Sequence, residues 1–309
     1  MENQEKGRRW PEEKGSTPSG RAKKEEPSPW EGFQYAMCNE SMQGMAWPEQ
    51  CDLVAKAGYQ GIEIAPFSLV KDGIEDLSPK TRQSMGAAMT HSGIECAGLH
   101  WLLSPPPPGL HFTTPDAGIR RRTQEYFRKL IDFCGDLGGK VMIFGSPKGR
   151  STDGKISVEE AKQNFTEGLR KLADHAGERG VEILIEPLGR NQTDVINITE
   201  EAMEIVKALH HPAVSTMFDF HNTVDEKLSF VEIIRETYPF IRHVHVMEMN
   251  GKYLGTGNGA ADYLQAFQLL KDKGYEKWVS LEVFDFSPGP LTIARESMKT
   301  LKTIESRLN

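Results

Sequence analysis

The 309-residue sequence has few cysteines and no long apolar run, and each shortage argues against a class of protein. None of its four cysteines belongs to a Cys-x-x-Cys pair, and this cysteine usage predicts a reduced, cytoplasmic protein. No segment approaches the roughly 20 apolar residues of a membrane span, and the N-terminus lacks the apolar core of a signal peptide. We therefore expect no membrane partner.

The sequence also lacks an excess of positive charge, because its 44 Asp and Glu outnumber its 37 Lys and Arg and give a formal net charge of -7 at pH 7. A nucleic-acid surface needs a basic face, so we expect no nucleic-acid partner. The glycine pattern Gly-x-Gly-x-x-Gly is missing after the first strand-like run, which leaves a dinucleotide-binding fold without support. The hydrophobic fraction of 38% and the charged fraction of 26% are those of a soluble globular protein.

The chain divides into a polar start and a long, rhythmic body. Residues 1–29 carry many charges and almost no aliphatic side chains, so they are predicted to be a disordered tail. Residues 30–309 are predicted to form one domain, in which apolar runs alternate with amphipathic helical stretches. The strand-like runs lie at 33–38, 61–66, 94–102, 140–146, 181–187, 214–220, 241–248 and 278–284. This alternation predicts an α/β fold, a (β/α)8 TIM barrel whose active site lies at the carboxyl ends of the strands.

Four polar side chains stand at the ends of four consecutive strand-like runs in the second half of the chain. They are Glu186, Asp219, His245 and Glu282, and each run is otherwise apolar. Three carboxylates and one imidazole at the same end of a barrel form an oxygen-rich site for one divalent metal ion. Burying them without a counter-charge would cost roughly several kcal/mol each, so a cation is the simplest partner. Mn²⁺ or Mg²⁺ suits these ligands best, and Co²⁺ or Zn²⁺ is also compatible.

Structural alternatives to the metal site stay open at this point. Glu186 could cap a neighbouring helix or pair with Arg190, and a lone strand histidine is usually a hydrogen-bonded core residue. The metal is favoured because Asp219 lies among aromatic and apolar residues, where an unpaired carboxylate is costly. It is also favoured because His243 and His245 share one face of their strand. His245 is nearer the carboxyl end and is the predicted ligand, with His243 one layer deeper.

The two glutamates indicate acid–base chemistry. Glu186 and Glu282 lie at the ends of the fifth and eighth runs, which are far apart around a ring of eight strands, so each faces a different side of a substrate. A divalent ion beside a carbonyl makes the adjacent carbon more acidic, because it stabilises the charge of an enediolate. One glutamate can then remove a proton and the other can return it.

The segments IEPLGRNQTDVIN, FDFHNT, HVHVMEMNGKYLGTGNGAADY and SLEVFDFSPGP resemble the sugar phosphate isomerase/epimerase family. This group of xylose isomerase-like barrels includes ketose 3-epimerases and hydroxypyruvate isomerase, and the resemblance covers about residues 33–305. It implies that Glu186, Asp219, His245 and Glu282 are the metal ligands, and that the two glutamates are also the catalytic acid and base. It further implies a role in carbohydrate metabolism, a small-molecule sugar substrate and a homo-oligomer.

Several positions near the predicted site bear on the substrate. Lys252 stands where the family commonly has an arginine that contacts substrate oxygens, and it keeps the charge without the bidentate fork. Ketose 3-epimerases usually have a second glutamate six residues after the first, where this chain has Gln192. They also tend to have a histidine three residues after the metal aspartate, where this chain has Asn222, with His221 one position earlier. These differences leave the choice of sugar open.

The weaker candidates lie in the first half of the chain. His100 and Trp101 end the third strand-like run, where a ring beside a polar donor suits the face of a sugar, although Trp101 suits the core equally well. Glu63 ends the second run and either binds substrate or pairs with a neighbouring lysine. Lys148 and Arg150, after the fourth run, either hold a phosphate or carboxylate or are surface charges.

The sequence thus predicts a metal-dependent isomerase or epimerase that acts on a sugar or a small hydroxy-carbonyl compound. A lyase or hydratase acting on keto-glycosides would use the same acidic proton, and it would suit the changes at Gln192 and Asn222. An endonuclease would need more histidine ligands and a basic groove. A non-catalytic sugar-binding barrel would not need a pair of glutamate bases.

Overall fold

A closed barrel of eight parallel strands, paired in chain order, forms the centre of the molecule. The computed structural model describes residues 30–309, so the tail predicted at 1–29 lies outside the described residues. The strands are β1 (Gln34–Cys38), β2 (Gly61–Ile64), β3 (Glu95–Leu99), β4 (Val141–Phe144), β5 (Glu182–Ile185), β6 (Val214–Asp219), β7 (Ile241–Val246) and β8 (Trp278–Leu281). Strand β1 closes the ring by pairing with β8, with Ala36 aligned with Ser280. The predicted eight-stranded α/β barrel is confirmed.

Helices follow the strands along the chain. Within residues 30–309 they are α1 (Trp47–Lys56), α2 (Pro79–Ser92), α3 (Ala117–Asp136), α4 (Val158–Glu178), α5 (Thr199–Leu209), α6 (Phe230–Thr237), α7 (Gly259–Asp262), α8 (Leu264–Asp272) and α9 (Pro290–Glu305). Local sequence explains the bounds of α2, because Ser78 Oγ accepts a hydrogen bond from the backbone N–H of Thr81 at 3.2 Å. Gly93 then ends the helix with a φ of +71°, which glycine adopts without strain. No helix of this described region is long and apolar enough to cross a membrane.

The helical segment between β7 and β8 consists of two pieces, α7 and α8, which meet at Tyr263. The Tyr263 side chain is buried and its hydroxyl donates a hydrogen bond to the backbone carbonyl of Met247, 2.8 Å away. Its ring stacks on Phe220 with the centroids 4.1 Å apart. These tertiary contacts fix the residue at which the two pieces meet, and an amphipathic pattern carries no signal for such contacts.

Successive side chains of a strand point alternately outward, toward the helices, and inward, into the barrel, so the apolar core has two parts. On β4, Phe144 packs outward against the helices, with its ring centroid 4.9 Å from that of Phe165 on α4. Ile143 has the opposite orientation and belongs to a separate apolar cluster with Leu184 and Met217. Successive side chains of a strand point to opposite faces, so this cluster lies inside the ring. The polar residues at the carboxyl ends of the strands lie directly above this apolar cluster.

Candidate metal centre and active site

The barrel geometry explains why four polar side chains meet. Glu186 stands two residues after Leu184, and Asp219 stands two residues after Met217, so both continue the inward face of the apolar cluster. His245 lies near the end of β7, and Glu282 directly follows β8. In a parallel barrel the carboxyl ends of all strands open on the same side, so these four side chains converge there.

The four predicted ligands are within reach of a common centre. Each of Glu186, Asp219, His245 and Glu282 offers one ligand atom, and these atoms all lie within 4.8 Å of one another. His245 Nδ1 is 3.4 Å from Oε2 of Glu282 and 3.8 Å from Oε1 of Glu186. All four side chains are buried. We refer to these residues below as the four-residue group.

Charge within the four-residue group is unbalanced. Burial, followed by the negative charges of Glu186 and Glu282, raises the pKa of Asp219 well above its ordinary value. Burial alone would raise the pKa of Glu282, but the positive charge of His245 lowers it. One imidazole cannot neutralise three carboxylates, so the group has a negative excess that a divalent cation would offset. Three carboxylates and one ring nitrogen are suitable ligands for such a cation.

Amide side chains hold two of the carboxylates in place. The Nδ2 of Asn222 donates to Oδ2 of Asp219 at 2.5 Å and to Oε1 of Glu186 at 3.1 Å. Gln192 Nε2 in turn donates to Asn222 Oδ1 at 2.6 Å. The backbone N–H of His221 donates to Oδ1 of Asp219 at 2.8 Å. Asn222 and His221, which the sequence placed near the substrate, therefore contact the four-residue group directly, and Gln192 contacts it through Asn222.

The orientation of His245 is set by Glu63. Its Nε2 lies 2.9 Å from Oε1 of Glu63, and both side chains are fully buried. Burial alone would raise the pKa of Glu63, but the positive charges of His245 and His243 lower this pKa well below its ordinary value. Glu63 is therefore a carboxylate, and it accepts the hydrogen bond from Nε2 of His245. Nδ1 of His245 has no hydrogen-bond partner and is the nitrogen that faces the carboxylates. Ring orientation of this kind is typical of a metal ligand supported by a carboxylate.

Glu63 belongs to a buried set of carboxylates and histidines that does not line the cavity described below. Its Oε2 is 2.7 Å from Nε2 of His243, although the two groups are not aligned as a hydrogen bond. Its Oε1 is 3.4 Å from Nδ1 of His100, whose Nε2 is 2.9 Å from Oε2 of Glu40. The side chains that contact Glu63 are therefore histidines rather than a neighbouring lysine, which was one of the two alternatives left open by the sequence. The predicted substrate contacts of Glu63 and His100 stay predictions.

A cavity of about 410 Å³ opens beside the four-residue group. Glu186, Glu282, Asn222 and Gln192 supply one polar wall. Its remaining lining consists of Trp101, Leu103, Ser104, Pro105, Ser146, Pro147, Lys148, Gly149, Leu188 and Phe284. The indole Nε1 of Trp101 donates to Oε1 of Glu282 at 2.7 Å, so this half-buried ring is part of the site.

The basic residues of the site loops differ in placement. Lys148 is exposed and lines the cavity. Lys252 is exposed in the loop after β7 and is not among the lining residues, so its contact with substrate stays a prediction. Arg150 corrects the sequence interpretation, because it is fully buried and is neither a surface charge nor a lining residue. Its guanidinium donates to the backbone carbonyls at the ends of two strands, those of Phe144 at 3.2 Å and Glu186 at 2.7 Å.

Sequence reasoning missed Gly145 and Glu40. A Cβ atom at Gly145 would lie only 2.1 Å from Oε2 of Glu186, so a residue without a side chain is needed beside this carboxylate. A glycine directly after an apolar strand was the available signal. Glu40 follows β1 by two residues, and its position past a strand end was a signal of the kind that identified Glu186 and Glu282.

Comparisons with known proteins agree with the observed fold. Residues 51–304 match the family model of the xylose isomerase-like TIM barrel. An L-ribulose 3-epimerase of Methylomonas sp. (strain DH-1) is 24% identical over 243 residues, which cover 74% of this chain and 76% of that protein. An inosose isomerase of Bacillus velezensis is 27% identical over 263 residues, which cover 82% of this chain and 89% of that protein.

Among solved structures, D-psicose 3-epimerase with D-tagatose from Clostridium cellulolyticum H10 superimposes with a TM-score of 0.77 at 22% identity, covering 90% of this chain and 100% of that chain. This likeness shows the fold. The curated relatives are named as epimerases and isomerases, and this chain is an enzyme. Because the family model matches most of the sequence, the chain belongs to the xylose isomerase-like TIM barrel family.

Proposed function

We propose that this enzyme is a metal-dependent isomerase or epimerase of a sugar or a small hydroxy-carbonyl compound. The observation that carries the proposal is a pair of carboxylates, Glu186 after β5 and Glu282 after β8, which belong to the four-residue group and also line the cavity. The relatives named above, an L-ribulose 3-epimerase and an inosose isomerase, catalyse reactions of this class.

One divalent ion would be held by Glu186, Asp219, His245 and Glu282. Mn²⁺ or Mg²⁺ fits the three carboxylates best, and Co²⁺ or Zn²⁺ also suits a site with one imidazole. When bound, the ion supplies Lewis acidity, which makes the C–H bond beside a substrate carbonyl more acidic.

The two glutamates transfer the proton. One carboxylate removes it from the carbon beside the carbonyl, which leaves an enediolate, and the other returns a proton. Return to the opposite face of the same carbon is an epimerisation, and return to the neighbouring carbon is an isomerisation. Asn222 holds Glu186 by a 3.1 Å hydrogen bond and Trp101 holds Glu282 by a 2.7 Å hydrogen bond, so both carboxylates are oriented at the cavity wall.

The cavity also limits the access of water to the transferred proton. Leu103 and Leu188 are buried lining residues, and the rings of Trp101 and Phe284 lie 6.2 Å apart between their centroids on another part of the lining. A carbon-rich surface keeps bulk water away from the enediolate, whereas the carboxylates exchange their protons with solvent before substrate binds.

Solvent deuterium incorporation tests the proposal directly. The full chain, loaded with Mn²⁺, is incubated in D2O with a panel of ketoses, and deuterium is expected at the carbon beside the carbonyl. Glu186→Gln and Glu282→Gln are each expected to lower turnover at least about 100-fold, because general acid–base catalysis contributes about 10²–10⁴ in rate. Glu204→Gln, which removes an exposed carboxylate from α5, is the matched control and should leave turnover unchanged. An active, folded Glu282→Gln protein would defeat the two-base mechanism.

A lyase acting on keto-glycosides is the second candidate, and Gln192 is the observation that favours it. The sequence resemblance places a second glutamate of ketose 3-epimerases at this position. Here an amide lines the cavity, and its Nε2 donates to Asn222 Oδ1 at 2.6 Å. A lyase would remove the same proton and then expel the alcohol from the next carbon. Release of the free alcohol from a keto-glycoside, measured by chromatography, separates it from an isomerase.

A further inference from the structure

We propose that the chain binds a second metal ion, Zn²⁺, through the side chains of Cys38, Glu40 and His100. We refer to these three residues as the Cys38 site. The site lies inside the barrel and shares no residue with the four-residue group, so it goes beyond the proposed function. It follows from the register of three neighbouring strands and from the ligand atoms that this register brings together.

The register of β1, β2 and β3 explains why the three side chains meet. Cys38, the last residue of β1, is aligned with Glu63 on β2, and Glu63 is aligned with Gly98 on β3. Residues aligned across parallel strands share a face, and so do residues two apart along one strand. His100 stands two residues after Gly98 and Glu40 stands two residues after Cys38. The Cys38 site is therefore built at the ends of β1 and β3, on either side of Glu63.

The three side chains are close enough to hold one ion. Each offers one ligand atom, and these atoms all lie within 4.8 Å of one another. Zinc–ligand bonds of about 2.0–2.3 Å place the ligand atoms of a tetrahedral ion about 3–4 Å apart, so small side-chain rotations suffice. Cys38, Glu40 and His100 are each 1% exposed, and none of them lines the cavity. An ion here would not contact a substrate in the cavity, so we assign it a structural role.

Glu63 orients His100 for such an ion. Nε2 of His100 lies 2.9 Å from Oε2 of Glu40, so this nitrogen faces the Cys38 site. The other ring nitrogen, Nδ1, is buried without a hydrogen-bond partner, and it lies 3.4 Å from Oε1 of Glu63. A small rotation of the ring would let Nδ1 donate to this oxygen. A carboxylate behind the non-binding nitrogen is the usual support of a metal-bound histidine.

The types of ligand favour zinc at the Cys38 site. Thiolate, imidazole and carboxylate together suit Zn²⁺, whereas Mg²⁺ and Mn²⁺ prefer oxygen ligands. The thiol of Cys38 would release its proton to solvent when the ion binds. One thiolate, one carboxylate and one neutral imidazole then balance the charge of the ion, which reduces the cost of burying it. A buried water molecule would complete the tetrahedron.

A bound ion would fix two neighbours of Glu282. Oε1 of Glu40 accepts a hydrogen bond from the backbone N–H of Val283, the next residue after Glu282, at 3.4 Å. Trp101 directly follows His100 and donates to Oε1 of Glu282 at 2.7 Å. Both contacts start from residues that are ligands of the Cys38 site or adjacent to one. The ion would therefore join the ends of β1 and β3 beside one carboxylate of the four-residue group.

Cobalt absorption tests the proposal, because Co²⁺ replaces Zn²⁺ and a cobalt–thiolate bond adds an absorption band in the near ultraviolet. The full chain is stripped of metal with a chelator, reduced and titrated with Co²⁺. The band is expected to grow and saturate, and metal analysis should find about two ions per chain, one in each site. The four-residue group contains no sulfur and cannot produce the band. Saturation without the band would overturn the proposal and leave Glu40 and His100 as a metal-free buried pair.

Competition between metals tests the choice of ion and needs no variant. Added Zn²⁺ should displace the cobalt and remove the band, whereas an equal concentration of Mg²⁺ should leave the band unchanged, because Mg²⁺ does not favour thiolate. Removal of the band by Mg²⁺, or its persistence in excess Zn²⁺, would contradict the proposed zinc site.

A variant assigns the band to one cysteine. Cys38→Ser is expected to abolish the band and to lower the bound cobalt by one ion per chain. Cys51→Ser is the matched control, since Cys51 is a fully buried thiol on α1 that belongs to no group of potential ligands within residues 30–309, and it should keep both. Circular dichroism checks folding. A band that persists in folded Cys38→Ser, or that is lost equally in Cys51→Ser, would contradict the proposal.

The outcome for the Cys38 site is independent of the outcome for the proposed function. One bound cobalt ion with the band would support the Cys38 site and count against metal binding by the four-residue group. One bound cobalt ion without the band, together with deuterium uptake by a ketose, would overturn the Cys38 site and leave the proposed function standing.

Discussion

Replacing Glu63 by glutamine tests whether this carboxylate positions His245 as a metal ligand. Glu63 is fully buried, and its two oxygens lie 2.9 Å from Nε2 of His245 and 2.7 Å from Nε2 of His243. The amide of Glu63→Gln has nearly the same shape but only one accepting oxygen, and its NH2 group must face one of the two imidazoles. His245 then loses the strong acceptor that holds its Nε2 proton and directs Nδ1 at the carboxylates.

The expected result is weaker metal binding by a folded protein. Loss of a carboxylate behind a metal-bound histidine costs about 10- to 100-fold in metal affinity, which is about 1.4–2.7 kcal/mol. Titration calorimetry with Mn²⁺ gives the dissociation constant, and nitrogen NMR of the metal-free protein shows which nitrogen of His245 carries the proton.

Two glutamates serve as controls for Glu63→Gln. Glu40→Gln removes an equally buried carboxylate that contacts His100 Nε2 at 2.9 Å, so it tests for the loss of charge alone and should change the affinity much less. Glu95→Gln alters an exposed residue of β3 and should have no effect. An unchanged dissociation constant in folded Glu63→Gln, or an equal loss in Glu40→Gln, would refute the positioning role.

Three further outcomes are expected. Removal of the metal by EDTA should lower the midpoint of thermal unfolding, and the midpoint of the metal-free protein should fall as the pH rises above about 4. The reason is that burial and neighbouring carboxylates raise the pKa of Asp219, so stability present below its unfolded pKa is lost as the pH rises toward the folded-state pKa. Trp101→Phe removes the donor to Glu282 and should lower kcat/KM by about 10- to 100-fold in steady-state assays, and an unchanged value would mean that the carboxylate is held by other contacts. Arg150→Met removes the side-chain donors to two buried strand-end carbonyls and should lower the free energy of unfolding by about 2–4 kcal/mol in urea. Arg190→Met, at an exposed position, should lower it by less than about 0.5 kcal/mol.

The positions of the predicted ligands could be found from the sequence because they depend on a short-range rule. Side chains alternate along a strand, and the strands of a (β/α)8 barrel end on one side, so Glu186 and Asp219 are fixed by their distance from Leu184 and Met217. Chain order alone then places β5 to β8 beside one another. This is why four residues spread over nearly a hundred positions were correctly expected to lie close together.

Loop residues could not be placed in the same way, because their positions depend on tertiary contacts. The segment around Lys148 and Arg150 has the composition of a surface loop, yet Arg150 turns inward and donates to carbonyls of two strands. Leu103 follows the third strand-like run and Phe284 ends the eighth. Nothing in the sequence distinguishes them from other apolar residues, and they become cavity walls only in the fold. The predicted homo-oligomer, cytoplasmic location, domain boundary at residue 30 and ligand roles stay predictions.

Neutral hydrogen-bond donors orient the carboxylates of the four-residue group, and they leave its excess negative charge in place. Asn222 and Trp101 donate hydrogen bonds to the carboxylates without adding positive charge, so they fix direction and leave the negative excess in place. Arg150, the buried cation nearby, is directed at backbone carbonyls rather than at these carboxylates, and burial lowers its pKa to about 10. A site built in this way is oriented before any cation binds. Loss of the metal should therefore abolish turnover while the barrel and its cavity remain folded.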